Sequence, residues 1–90
     1  MTSGIEGMFS RKDYSVKVRG RSGILYSEGG NTVVIDSEML AAGPFDMVVY
    51  RDSLTTWITP GGEQSLSDED RARIRRNVED GLANLKLDWQ

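Results

Sequence analysis

The sequence predicts an α+β fold: one small domain, a mainly antiparallel meander of about five strands followed by one C-terminal amphipathic helix packed on the sheet. Three observations predict it. Ninety residues hold one domain and no more. Apolar residues alternate with polar ones between Tyr14 and Thr59, punctuated by paired glycines. After Ser67 the period changes, and Ile74, Val78, Leu82 and Leu85 recur at spacings of four, four and three. Residues 1–12 show no period and read as a flexible lead-in, leaving 13–90 as the domain.

Tyr14, Val16 and Val18 alternate with Ser15, Lys17 and Arg19, which is the pattern of a half-buried strand. Ile24-Leu25-Tyr26-Ser27 and Thr32-Val33-Val34-Ile35-Asp36 flank Gly29-Gly30, which accept the positive φ of a primed hairpin turn. That turn sets Tyr26 opposite Val33 and Ile24 opposite Ile35, so these four face the core. For Val16 and Val18 to share the face, the first loop must have odd length, which Gly20-Arg21-Ser22 supplies. Ser37 to Asp46 reads as a connection, with one helical turn over Glu38–Ala42 stopped by Gly43-Pro44. Met47-Val48-Val49-Tyr50 is a continuous apolar run and reads as a strand covered on both faces. Arg51-Asp52-Ser53 turns the chain into a β-branched strand, Leu54–Thr59, ended by Pro60-Gly61-Gly62.

Ser67 is a good N-cap, and Asp68, Glu69 and Asp70 place negative charge at the positive end of the helix dipole. Asp70 holds the reciprocal position of a capping box. The helix is expected over about Asp68 to Leu85. Gly81 lies on its apolar stripe at a cost of about 1 kcal/mol in helix propensity; close contact between backbone and sheet is the physical reason to keep it. Trp89 continues the stripe and pins the tail.

Composition narrows the chemistry. With no His and no Cys, zinc sites, disulfides, thiol chemistry and the usual general base are absent. Serine hydrolysis would need a lysine base, but Lys12, Lys17 and Lys86 sit in flanks or on exposed faces. The paired glycines at 29–30 and 61–62 lack the Lys-Ser/Thr of a phosphate loop and read as hairpin punctuation. No apolar run is long enough to span a bilayer and no leader is evident, so a cytoplasmic location is expected.

The net charge is −3. Residues 28–90 carry six basic groups against twelve acidic ones, while residues 1–27 are basic. Such an excess disfavours nucleic acid and suits a basic protein partner, whose opposite field speeds encounter. On composition alone, solubility is the stronger explanation. Asp36 and Glu38, with Asp46 and Asp52, could serve a carboxylate-based enzyme, but acidic residues also collect in turns because they are solvated there. Arg71, Arg73, Arg75 and Arg76 read as a solvated helix face paired with neighbouring acids, and Trp57 as core.

One order of residues carries a resemblance: Gly23-Ile24-Leu25-Tyr26, Glu28-Gly29, Ile35-Asp36-Ser37-Glu38, Val49-Tyr50, Ser53, Trp57 and Pro60, then an acidic-capped helix. In that order the chain resembles the immunity protein 74 family of bacterial polymorphic toxin systems, from about Tyr14 to Leu85. The resemblance implies a non-enzymatic inhibitor that protects its producing cell by binding the C-terminal domain of a cognate toxin, without catalytic residues, cofactor or metal. The other readings are an interaction or adaptor module and, from a different class, the carboxylate enzyme. Glu28, Asp36, Glu38, Asp52 and Tyr50 are the candidate partner contacts, because they sit at turns and strand ends beside aromatics. Neither nucleic acid nor membrane is expected as a partner, and the oligomeric state is open.

Overall fold

A computed structural model describes residues 13–90; the flexible segment expected over 1–12 lies outside the described residues. Strands β1 (Tyr14–Val18), β2 (Ser22–Glu28) and β3 (Asn31–Met39) form an antiparallel meander. The register is the one that strand parity requires: Val16 pairs with Tyr26, Val18 with Ile24, Tyr26 with Val33 and Ile24 with Ile35. The Arg19 N–H donates to the Gly23 carbonyl at 2.9 Å and closes the Gly20-Arg21-Ser22 loop. Gly29 and Gly30 both take positive φ, 58° and 83°, as the tight turn requires.

The next segment differs from expectation. The helical turn over Glu38–Ala42 does not form, because β3 runs on to Met39 against β4 (Met47–Val49), pairing Ser37 with Val49, Glu38 with Val48 and Met39 with Met47. A strand partner satisfies more backbone groups than an isolated helical turn can. All of β4 is buried, as its apolar run predicts. A 3-10 turn (Arg51–Ser53) leads to β5 (Thr56–Thr59), which turns back through Pro60-Gly61 into β6 (Gly62–Ser65).

Helix α1 (Asp68–Gly81) begins on a full capping box: the Asp70 N–H donates to Ser67 Oγ at 3.0 Å, and the Ser67 N–H donates to Asp70 Oδ2 at 3.1 Å. The helix ends at Gly81 rather than near Leu85, and β7 (Leu87–Trp89) follows, lying parallel to β4 at the sheet edge. Parallel neighbours need a long crossover, and the chain from β5 through α1 provides it. The described residues thus hold seven strands, against the expected five or so, in one sheet ordered β1-β2-β3-β4-β7, with β5 also on β3 and β6 outside β5.

The core lies between α1 and one sheet face. Ile24, Tyr26, Val33, Ile35, Val49 and Trp57 meet Ile74, Val78 and Leu82 there, with Leu85 and Trp89 partly buried at its margin. Gly81 does what its position suggests: a Cβ there would come within 2.8 Å of Val16 Cγ2.

Candidate functional site

Among the described residues, the helix covers one sheet face and leaves the other open. Because side chains alternate, the pairs Leu25–Val34 and Thr32–Ile58 point outward, and so do Asp36 and Glu38. Val34 is 39% exposed and Ile58 47%, so this face presents apolar side chains to solvent.

At one end of the face the sheet forks. The free edge of β3 is paired by β4 at Ser37–Met39 and by β5 at Thr32, leaving Asp36 between them. The 3-10 turn fills the gap. The Tyr50 N–H donates to the Asp36 carbonyl at 2.9 Å, and the Asp36 N–H donates to Ser53 Oγ at 2.8 Å. Ser53 Oγ in turn donates to the Tyr50 carbonyl at 2.6 Å. Opposite, the β2–β3 register slips at Gly23, whose φ of 92° suits glycine and whose N–H donates to Ser37 Oγ at 3.0 Å. The order Asp36-Ser37-Glu38 therefore has a direct physical meaning: Ser37 is buried and ties the bulge, while its two carboxylate neighbours point outward.

Tyr50 joins them. Its hydroxyl donates to Glu38 Oε1 at 3.2 Å while the residue remains 38% exposed. Its phenol pKa is raised, first by partial desolvation and then by the Glu38 charge, so the phenol stays neutral and a donor. Asp36, Glu38 and Tyr50 form one patch of two carboxylates and an aromatic ring on a braced backbone.

The other two candidates lie elsewhere. Glu28 shares the inner face with Tyr26 and belongs to a clamp between sheet and helix. It accepts the Tyr26 hydroxyl at 2.6 Å and pairs with Arg73 Nε at 3.2 Å. Arg73 also pairs with Asp70 at 3.1 Å, Asp70 accepts the Trp57 indole N–H at 3.2 Å, and Asn77 donates to the Tyr26 hydroxyl at 2.9 Å. Burial and then the bond to Glu28 push the Tyr26 phenol up to about 12. Asp70 is held below its usual value, first by the backbone N–H of Ser67. Asp52 lines a groove of about 490 Å³ with Arg51, Leu54, Arg71, Ala72, Arg75 and Gln90.

That groove is what sequence reasoning missed. The expected intrahelical pairs form in part: Arg71 with Asp68, Arg73 with Asp70 and Arg75 with Glu79 at 3.5 Å, while Arg73 also leaves the solvated face to reach Glu28 and, among the described residues, no carboxylate ion-pairs with Arg76. Arg71 and Arg75 nevertheless also turn toward Arg51, twenty and more positions earlier, and no local pattern announces that meeting. Among the described residues, no group of three or more acidic side chains is placed to hold a metal ion, and no helix is long and apolar enough to cross a membrane.

Compared with known proteins, the chain matches the family model described as immunity protein 74 over residues 15–88, from β1 into β7. No curated protein matches it, and neither does any solved structure.

Proposed function

The chain belongs to the immunity protein 74 family, and we propose on that premise that it binds the C-terminal domain of a bacterial toxin encoded beside it and neutralises that domain stoichiometrically, without catalysis. The observation that carries the reading is the match over residues 15–88, which takes in nearly every described element. The fold offers a surface suited to the task. Asp36, Glu38 and Tyr50 stand on a backbone fixed by the Ser37 and Ser53 bonds, so little ordering is lost on binding. Beside them, Val34 and Ile58 provide exposed apolar area. A basic toxin domain would be steered to the two carboxylates and anchored by the aromatic and aliphatic groups. The producing cell's cytoplasm is where such protection is needed.

Co-expression tests the reading. The chain should restore growth to cells expressing the neighbouring toxin domain, and the two should co-purify without added nucleotide or metal. Growth arrest unrelieved by the chain, with no complex recovered, would reject the immunity role and favour an adaptor.

A further inference from the structure

We propose that the groove beside the 3-10 turn binds a carboxylate-bearing segment of a protein partner, with the guanidinium groups of Arg51, Arg71 and Arg75 as its ligands. This surface is distinct from the open sheet face, and the inference does not depend on the toxin reading.

Two of the three guanidinium groups are held in place, and the third arginine is fixed at its backbone. The Arg75 guanidinium lies 4.9 Å from the centre of the Trp89 ring. Arg71 Nη1 donates to the Leu66 carbonyl at 3.0 Å. The Arg51 backbone N–H donates to the Gln90 carbonyl at 2.8 Å, which ties the 3-10 turn to the chain after β7. Preorganised groups lose less entropy when they bind.

They also have donors to spare. A guanidinium carries five N–H groups in a planar fork that matches a carboxylate. Arg71 is engaged with Leu66 and Asp68, and Arg75, besides lying against Trp89, pairs with Glu79. Among the described residues, no carboxylate ion-pairs with Arg51. The Arg71 and Arg75 side chains are only 40% and 43% exposed, so a bound carboxylate would be partly shielded from water.

The charges around the groove choose the ligand class. Asp52 sits in the wall, and Asp68 and Glu79 flank it through their ion pairs. A run of nucleic-acid phosphates would meet these acids as well as the arginines, in a region whose acidic residues outnumber its basic ones. A single peptide carboxylate can sit among the guanidinium groups without carrying further negative charge past these acids. Ala72, exposed beside the buried Leu54, supplies apolar surface for its methylene groups.

The test is an NMR titration of the full chain at low salt with an acetylated, amidated alanine hexapeptide carrying one central glutamate, following the arginine Nε–H signals, the Trp89 indole and the Gln90 amide. The same peptide with glutamine in place of the glutamate, inorganic phosphate and a hexauridylate RNA are titrated alongside. Saturable shifts at these groups are expected, with the glutamate peptide binding tighter than all three. Arg51→Gln, at an exposed site, should weaken its binding about threefold to fivefold, as loss of one partly solvated ion pair does. Asp52→Asn should tighten it by a similar factor. Equal or tighter binding of the glutamine peptide, phosphate or RNA, shifts confined to other surfaces, or no response to either substitution would overturn the proposal.

Discussion

Gly81→Ala separates two physical demands on the same position. In a helix interior, alanine is favoured over glycine by about 1 kcal/mol, and by less at the last helical residue, where Gly81 sits, so propensity alone still predicts a more stable protein. Packing predicts the reverse. The new Cβ would lie 2.8 Å from Val16 Cγ2 and 3.1 Å from Val16 Cβ, closer than carbon atoms tolerate. Val16 cannot yield by rotating cheaply, because a β-branched side chain is stiff at χ1. Nor can the helix end back away freely, since the Tyr14 hydroxyl donates to Asp80 Oδ2 at 2.7 Å beside it. Overpacking of this kind costs about 1–3 kcal/mol, so the net effect should be a loss of about 1 kcal/mol. Urea titration of wild type, G81A, V16A and the double variant measures it, provided the m-values agree. Removing the Val16 methyls removes the shorter contact, so G81A should be neutral or stabilising in the V16A background, with a coupling energy of about 1–2 kcal/mol. A G81A protein more stable than wild type, or no coupling to Val16, would refute close approach as the reason for the glycine.

Leu82→Ala should cost about 2–4 kcal/mol in the same titration, because the side chain is 7% exposed within the core; half that loss or less would mean that the chain end docks loosely. Tyr26 should make stability fall at alkaline pH. Its folded pKa of about 12 lies above the usual 10, so its contribution is complete below pH 10 and is lost as pH rises toward 12. The difference between wild type and Tyr26→Phe should therefore shrink across that window, and a constant difference would dissociate the phenol from the clamp. The double variant Asp36→Asn, Glu38→Gln should associate about threefold to tenfold more slowly with a basic toxin domain at low salt, with the gap closing at high salt. Equal rates at low salt would remove this patch from the interface.

Where side-chain parity and turn chemistry act locally, the fold was legible. The β2–β3 register followed from Gly29-Gly30, and the odd loop at Gly20-Arg21-Ser22 then placed Val16 and Val18. The capped start of α1 and the burial of Ile74, Val78 and Leu82 followed from spacing. Strand β6 was not legible because Gly62, Glu63, Gln64 and Ser65 are all exposed and carry no apolar alternation. Strand β7 was hidden by coincidence: Leu85 and Trp89 keep helical spacing although the helix has ended, and only long-range pairing with β4 draws Leu87–Trp89 into the sheet. The candidate site divided for the same reason. Asp36, Glu38 and Tyr50 converge through neighbouring strands, whereas Glu28 stands on the inner face by parity with Tyr26 and there meets Arg73, forty-five positions away. The arginine groove joins a turn, a helix and the segment after β7, a conjunction that only the tertiary fold creates.

The central claim is stoichiometric inhibition by binding, and titration of the purified toxin domain's activity with the purified chain tests it most directly. Activity should fall linearly with added chain and vanish at a fixed whole-number ratio, with both proteins recovered unaltered in mass. Protection by far fewer copies than there are toxin molecules, or a covalent change in the toxin, would show a catalyst at work and contradict the account.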